Sequence, residues 1–282
     1  MAIASMRGYA FDNGSSFAND HHSALATLLD PATRRRIGDL MDLRGANCLE
    51  VAAGGGSIAE WLAEQVGADG QVLATDTKPE LIAPRPRLSV LRHDITTGAP
   101  GRGYDLVHAR LLLNHLRRRR QVLHRLADAL RPGGVLVTED FWPTPPGDFV
   151  ACAMSADDAM LIRRYQLAHL QVLADHGNDR SWSRRALIAF MEEGLVDVQT
   201  TVSGGTWRGG GPGCRLLVAG IGQLRAELVE AGLTPAELDY LCALLKDPTL
   251  VLHGHLLYST SGRRPDTVDG PVWANTPRAS EP

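Results

Sequence analysis

A short apolar run that ends in three consecutive glycines constrains this 282-residue chain more than any other stretch. Leu49 to Val51 has the composition of a buried strand, and a helical pattern of apolar residues begins at Ile58. Because glycine has no Cβ, Gly54 to Gly56 let the backbone turn sharply and approach a ligand closely. The free N–H groups at the start of the following helix favour a ligand at the same place. We therefore predict a strand, a binding turn and a helix, with Ser57 and Glu60 as the capping box of that helix.

The glycine turn alone leaves two classes of nucleotide open. Its spacing satisfies the dinucleotide fingerprint, so a nicotinamide or flavin enzyme stays an alternative. Glu50 lies directly before the turn, where a carboxylate suits a ligand with a cationic group and would repel a pyrophosphate. Asp76 ends a second predicted strand about twenty residues beyond the turn, the spacing at which a carboxylate accepts both ribose hydroxyls. The pattern thus predicts a site for adenosine.

Two segments carry a resemblance to a known family. Glu50 to Gly56 resembles the first motif of the class I S-adenosylmethionine-dependent methyltransferases, with Ala52 where the first glycine is usual. Leu130 to Gly134 has the Leu-x-Pro-Gly-Gly turn that precedes a strand in these enzymes. The likeness runs from about Tyr9 to Phe141, more loosely to Arg264, and is strongest toward small-molecule methyltransferases of bacterial natural-product pathways. It implies a Rossmann-like α/β fold: a mostly parallel seven-stranded sheet with an antiparallel last strand, plus helical lid insertions.

The resemblance also implies which residues bind S-adenosylmethionine, with S-adenosylhomocysteine as the product. Asp94 is expected to bind the adenine amino group while Ile95 packs against the ring. Tyr9 is a candidate lid residue, or it only anchors the amino-terminal segment. Ligands bind beyond the carboxyl ends of parallel strands, and this rule adds His108 at the end of the predicted fourth strand, Asp105 to His108. The expected cofactor-binding residues are Tyr9, Glu50, Ala52, Ala53, Gly54, Gly56, Asp76, Thr77, Asp94, Ile95 and His108.

An acceptor hydroxyl needs a base for its proton, and histidine is the usual base near neutral pH. His115 follows the predicted fourth strand, and Asp140 lies just after the predicted fifth strand, Val135 to Thr138. By resemblance to sugar and polyphenol O-methyltransferases, His115 is the candidate base and Asp140 its orienting carboxylate, with Glu139 as the substitute. The alternative is that His115 only packs its helix and Asp140 only lines a loop. A dry acceptor pocket is predicted from helices that carry Met160, Tyr165, Leu167 and Trp182.

Elsewhere the pattern predicts ordinary structural elements. The apolar spacing between residues 22 and 43 predicts two helices separated at Asp30-Pro31, since proline disfavours helix in the residue before it. Leu250 to Tyr258 is predicted as the last strand. The glycine-rich loop 204–212 is predicted as a hinge or pocket rim, or as an inert connection. His21 and His22 are predicted to lie at the surface.

The predicted organisation has five parts. A mobile amino-terminal arm spans 1–20, and the S-adenosylmethionine-binding Rossmann-like core spans 21–145. A helical lid and substrate region follows over 146–194. Carboxy-terminal strands with inserted helices complete the sheet over 195–262, and a flexible tail spans 263–282.

Composition excludes several classes of partner. A net charge of -3 gives no general attraction to nucleic acid or to an anionic membrane. No apolar run approaches the ~18 residues of a membrane helix, and the first residues lack the pattern of a secretory signal, so we expect a cytoplasmic protein. The four cysteines contain no Cys-x-x-Cys pair and indicate free thiols rather than a metal site.

These features predict an S-adenosylmethionine-dependent methyltransferase that acts on a small, largely apolar acceptor, with oxygen as the expected acceptor atom. The alternatives are C- or N-methylation, a cyclisation or rearrangement that uses the bound cofactor, an NAD(P)-dependent oxidoreductase and a non-catalytic partner subunit. The oligomeric state stays open, with a homodimer as the candidate assembly.

Overall fold

The structure is a computed structural model that describes residues 10–266. Within this range α-helices and β-strands alternate through the first half of the chain, and helices dominate the second half. The helices are α1 (Ala18–Leu40), α2 (Ser57–Gln65), α3 (Arg119–Ala129), α4 (Ala156–Asp175), α5 (Trp182–Glu192), α6 (Pro212–Gln223), α7 (Arg225–Glu230) and α8 (Pro235–Leu244). The strands are β1 (Asn47–Val51), β2 (Gln71–Asp76), β3 (Leu88–Arg92), β4 (Tyr104–Arg110), β5 (Leu130–Trp142), β6 (Val150–Cys152), β7 (Val196–Ser203), β8 (Thr206–Arg208), β9 (Val251–His253) and β10 (Leu256–Arg263). A 3₁₀ turn covers Leu113–His115.

Seven strands form the main sheet, in the order β3-β2-β1-β4-β5-β10-β7. The first five pair in parallel, whereas β10 runs antiparallel to both β5 and β7. Helices cover the sheet, which buries β1, β4 and β5 as nearly continuous apolar runs. The predicted Rossmann-like fold with one antiparallel strand is confirmed.

The predicted last strand, Leu250 to Tyr258, is wrong because the chain changes sheets inside it. β9 pairs with β6 and β8 in a small three-stranded sheet, while β10 returns to the main sheet. Gly254 lies at this junction, and a Cβ there would lie 2.3 Å from the Trp207 ring nitrogen. The close approach of Trp207 therefore requires glycine at the change of direction. Since β8 lies within residues 204–212, that stretch is not a plain loop.

The first helix is continuous through Pro31, so the predicted break at Asp30-Pro31 is wrong. Pro31 removes one backbone donor from the helix interior. The Asp30 carboxylate compensates with partners from three directions: Arg110 at 2.9 Å, Ser57 at 3.1 Å and Arg34 at 3.1 Å. Tertiary contacts on Asp30 thus outweigh the local preference of a residue before proline.

The helices of the second half share one apolar cluster above the carboxyl edge of the sheet. Phe149, Tyr165, Leu217 and Leu241 belong to this cluster, which joins α4 to α6 and α8. The segment before α1 packs against the same cluster through Ala10 and Phe11. Helices from both sides of the predicted boundary at residue 194 therefore cover the same edge of the sheet. The five predicted divisions of the chain stay predictions.

Candidate functional site

A cavity of about 720 Å³ opens where the carboxyl ends of β1, β2 and β4 meet α1, α4 and α6. One half is formed by the glycine turn, by the ends of the strands and by Asp76. The other half is formed by apolar and imidazole side chains from the helices. A cavity of this size accommodates two small ligands side by side.

The glycine turn adopts the left-handed backbone conformation that its sequence predicts. Gly54 has φ 54° and Gly56 has φ 83°, values that favour glycine. Ala52, which replaces the usual glycine, also has a positive φ of 55°. A left-handed alanine costs about 1–2 kcal/mol, so the turn is strained at this position. The predicted capping box is wrong, because Gly56 is the N-cap residue, Ser57 donates to Asp30 and Glu60 pairs with Arg85.

Replacing Gly54 by alanine should lower the free energy of unfolding by about 1–2 kcal/mol, because φ is positive there. The new Cβ would also lie 2.7 Å from the His22 ring and would force that ring to shift. Urea denaturation measures the change. The matched control is Gly147→Ala, since Gly147 is exposed and has open space around it. An equal effect of the two substitutions would show that the turn tolerates a side chain.

Asp76 lies at the cavity wall beside the glycine turn. Its carboxylate accepts a hydrogen bond from the Gly54 N–H at 2.9 Å and another from the Lys78 N–H at 2.9 Å. The Asn13 side-chain amide donates a third at 3.3 Å. The carboxylate is buried and faces the turn, so it couples the end of β2 to the ligand-facing loop of β1.

The predicted adenine-side residues come together at the same end of the cavity. Thr77, Asp94 and Ile95 all line it. Ile95 is buried, as a residue that packs against a ring must be, and the Asp94 carboxylate is held by the Thr96 N–H at 2.8 Å. Glu50, Ala52 and Ala53 complete the wall. Tyr9 lies outside the described residues.

His108 does not reach the cavity; it lies behind Glu50 in the sheet. Its Nδ1 lies 2.6 Å from the Glu50 carboxylate and its Nε2 lies 3.5 Å from the Glu139 carboxylate. All three side chains are buried. Burial alone would lower the pKa of His108, but the two carboxylates outweigh burial and raise it to about 9. His108 is therefore an imidazolium between two carboxylates, which corrects its predicted role as a ligand contact.

The same cluster extends through Thr33 to Arg110, which lines the cavity. Thr33 donates to Glu139, and Arg110 donates to Thr33 at 3.0 Å and to Asp30 at 2.9 Å. Burial would raise the pKa of Glu139, but the hydrogen bond and charge of His108 outweigh burial and lower it. Glu139 thus serves this cluster beneath the sheet edge and is not placed to substitute for Asp140 beside His115.

His115 lines the cavity, whereas Asp140 does not. The hydrogen-bond partner of His115 Nδ1 is the Asn178 side chain at 3.2 Å. Asp140 is buried and accepts from the Asn114 N–H at 3.3 Å. Burial raises the pKa of Asp140 to about 8, so the group is largely uncharged near neutral pH. The predicted pairing of His115 with an Asp140 carboxylate is therefore corrected to a pairing with Asn178.

Sequence reasoning missed several imidazoles of the site. His21 and His22 were expected at the surface, yet both line the cavity, and so do His169 and His255. His22 lies against the glycine turn and contacts Asn13 at 3.0 Å. The signal was available for His21, because Leu25 and Leu28 follow it at i+4 and i+7 and so place it on an apolar face.

The helix α4 uses a different face from the one predicted. Met160 and Leu167 are 56% and 63% exposed, and Tyr165 and Trp182 are buried in apolar clusters without lining the cavity themselves. The residues of α4 that line the cavity are His169, Leu170 and Leu173. The sequence of α4 did not reveal which of its faces lines the cavity, because α4 is also apolar where it packs on α7 and α8.

Comparisons with known proteins agree with the geometry. A family profile described as "Methyltransferase domain" matches residues 49–136. The chain is similar to phosphoethanolamine N-methyltransferase 2 of Haemonchus contortus in complex with phosphomonomethylethanolamine and S-adenosylhomocysteine, with 14% identity and a TM-score of 0.53. That alignment covers 90% of this chain and 61% of the nematode chain. It is also similar to an S-adenosylmethionine-dependent methyltransferase from Aquifex aeolicus, with 12% identity, a TM-score of 0.50, and coverage of 90% of this chain and 99% of that chain.

At these identities the solved structures establish the fold, while the family profile identifies the domain. A search of curated protein sequences gives no significant match. The profile spans β1 to β5, the part of the chain that contains the glycine turn and Asp76. The chain therefore contains a methyltransferase domain over residues 49–136, within a Rossmann-like fold that is similar to those of the two solved methyltransferases.

Proposed function

We propose that the protein transfers the methyl group of S-adenosylmethionine to an oxygen atom of a small, largely apolar acceptor, with His115 as the base. The observation that carries this proposal is a continuous cavity, which joins the glycine turn and Asp76 to an apolar region that includes His115. No helix among residues 10–266 is long and apolar enough to cross a membrane. A cytoplasmic location and a homodimer stay predictions.

The residues around the turn fit the cofactor. The turn brings backbone N–H groups and a left-handed glycine to the cavity, so a ligand can approach without meeting a Cβ. Asp76 offers a buried carboxylate for a ribose diol, and Asp94 and Ile95 offer a polar and an apolar contact for the adenine. The Glu50 carboxylate suits the cationic amino group. When bound, S-adenosylmethionine supplies an electrophilic methyl group on a positively charged sulfur.

The helical half of the cavity suits a neutral acceptor. Its lining residues from α1, α4 and α6 include no lysine or arginine among the described residues. An acceptor with a phosphate, such as the phosphomonomethylethanolamine bound by the nematode enzyme, would be desolvated there without a cationic partner. Aromatic and aliphatic walls exclude water and hold the acceptor in line with the methyl group, and alignment accounts for much of the rate of such a displacement.

His115 is suited to receive the acceptor proton. Burial, with smaller contributions from His169, Arg119 and His176, lowers its pKa to about 3, so the ring is neutral near pH 7. His115 would take the hydroxyl proton while the acceptor oxygen is methylated, with S-adenosylhomocysteine as the leaving group. Methylation makes that oxygen cationic and its proton strongly acidic, so a weakly basic, neutral imidazole is sufficient. Asn178 contacts Nδ1, and the proposed role requires the amide oxygen of Asn178 at this contact, so that Nδ1 carries the hydrogen and Nε2 is free to accept the proton.

Replacing His115 by alanine should lower turnover by about 100-fold while the affinity for S-adenosylhomocysteine stays within threefold. Labelled methyl transfer to a panel of small phenols and alcohols gives the rate, and calorimetry gives the affinity. The control is His124→Ala, since His124 lies on α3 with a side chain that is 65% exposed. An unchanged rate would remove His115 from the mechanism.

The same panel separates the alternative functions. Label recovered on carbon or nitrogen instead of oxygen would favour C- or N-methylation. A converted substrate without S-adenosylhomocysteine would indicate a cyclisation or rearrangement. A rise in melting temperature with NAD, but not with S-adenosylhomocysteine, would indicate an oxidoreductase.

A further inference from the structure

The ring of Phe11 lies among three imidazoles that belong to different elements. Its centroid is 4.8 Å from His21 on α1, 6.2 Å from His115 and 6.5 Å from His169 on α4. It meets His115 and His169 edge-on, at 81° in both cases, and is inclined at 37° to His21. Phe11 comes from the short segment before α1. A side chain from outside the helical wall thus fills the space between His21, His115 and His169, which we call the slot.

Two polar atoms of the slot have no hydrogen-bond partner among the described residues. They are His21 Nδ1 and His169 Nε2, and both are buried. Buried polar atoms in proteins are nearly always hydrogen-bonded, because leaving one unpaired forfeits its interaction with water. The hydrocarbon ring of Phe11 offers neither a lone pair nor an N–H group. The slot therefore has the shape of an aromatic ring, and its two unpaired nitrogens call for a ring that carries a hydrogen-bonding group.

The slot is also electrically neutral. Burial, with smaller contributions from His22, His169 and His115, lowers the pKa of His21 to about 3, and burial lowers that of His169 to about 4. Neutral imidazole has one N–H donor and one acceptor nitrogen, so it pairs with a hydroxyl in either direction. The cavity-lining residues of α1, α4 and α6 include no carboxylate and no cation among the described residues. A charged ligand would therefore be desolvated without compensation.

We propose that the acceptor is a neutral, planar aromatic compound with a hydroxyl group, and that it takes the place of the Phe11 ring between His21, His115 and His169. The ring of the acceptor would keep the contacts that Phe11 makes, and its hydroxyl would satisfy a nitrogen that Phe11 leaves unpaired. The inference rests on the proposed function, since it assigns the substrate class of the same cavity.

The segment that carries Phe11 is attached by contacts that can break. Asp12 forms an ion pair with Lys78, and both side chains are about half exposed. The Asp12 N–H donates to Gln223 at 2.9 Å in an exposed position. Exposed ion pairs and hydrogen bonds contribute little to stability. Residues 10–12 therefore withdraw when an acceptor enters, while Asn13 keeps its contacts with Asp76 and His22. Phe11 competes with the acceptor while residues 10–12 are in place.

Binding of 2-naphthol in the presence of saturating S-adenosylhomocysteine tests the inference. Naphthalene and 2-naphthoate are the matched probes without a hydroxyl and with a negative charge. We expect 2-naphthol to bind at least about tenfold more tightly than either probe. Phe11→Ala should tighten 2-naphthol binding about tenfold, because the binding-competent fraction rises when the competing ring is removed. Phe17→Ala is the control, since Phe17 lies in the same segment but does not line the cavity.

His169→Phe supplies an independent readout. It should abolish the preference for 2-naphthol over naphthalene while naphthalene still binds. Equal or weaker 2-naphthol binding by Phe11→Ala, in a variant with an unchanged melting temperature, would overturn the inference, as would equal binding of 2-naphthol and 2-naphthoate by the wild type. Binding of S-adenosylhomocysteine is measured first, because its failure would refute the proposed function rather than the acceptor class.

Discussion

Replacing Asp76 by alanine is expected to weaken S-adenosylhomocysteine binding by about 1,000-fold. The buried carboxylate is the expected partner of the ribose diol, and two charge-assisted hydrogen bonds contribute about 1.5–3 kcal/mol each. Their sum includes about 4 kcal/mol, the free energy that corresponds to a 1,000-fold change in affinity. The substitution also removes the acceptor of the Gly54 and Lys78 N–H groups, so part of the loss comes from a looser turn. Isothermal titration calorimetry measures the affinity.

The control for this substitution is Asp69→Ala. Asp69 is exposed shortly before β2 and does not line the cavity, so its removal should leave the affinity within twofold. The melting temperature of each ligand-free variant separates loss of binding from loss of fold. If Asp76→Ala folds and binds S-adenosylhomocysteine as the wild type does, Asp76 only organises the turn, and the proposed cofactor site is wrong.

Replacing His108 by phenylalanine is expected to lower the free energy of unfolding by about 3–5 kcal/mol. The substitution keeps an aromatic ring of similar size but leaves the buried Glu50 and Glu139 carboxylates without their shared cation. Urea denaturation at pH 7 gives the change. Glu139→Gln in the same chain removes one of the two charges, so the double variant should be more stable than His108→Phe alone. A double variant that is less stable than the single one would contradict the ion cluster.

The same cluster predicts a pH dependence. The pKa of His108 is raised from 6.5 to about 9 in the folded protein, so its contribution to stability is complete below pH 6.5 and is lost as the pH rises through 9. The wild type should lose stability between pH 7 and pH 9. The double variant His108→Phe/Glu139→Gln has no imidazolium at this position and should lose less over the same interval. Equal losses of stability in the wild type and the double variant would show that a group other than His108 causes the loss above pH 7.

Local sequence patterns predicted the nucleotide half of the protein well. The strands β1, β2 and β3 are short apolar runs bounded by turn residues. The helix start at Thr234 was also predictable, because its capping box closes within four residues. Local chemistry decided these elements, so a local reading of the sequence was sufficient.

Long-range contacts decided what the sequence did not reveal. The Ser57 hydroxyl leaves its expected cap because Asp30, twenty-seven residues earlier, accepts from it. His108 lies at the predicted strand end, but its orientation depends on Glu50 and Glu139 from two other strands. The acceptor region combines side chains from α1, α4 and α6, and no local pattern specifies which faces of three helices will meet.

The position of β10 has a consequence for synthesis of the protein. This strand inserts between β5 and β7, although it begins at Leu256, more than a hundred residues after β5 ends at Trp142. At about 5–20 residues per second, a ribosome needs roughly 5–20 s to supply it. During that interval the outer edge of the thirteen-residue β5 has unpaired backbone groups, a known starting point for aggregation of nascent chains. Chaperone demand should therefore peak late in translation and end when residues 256–263 leave the exit tunnel.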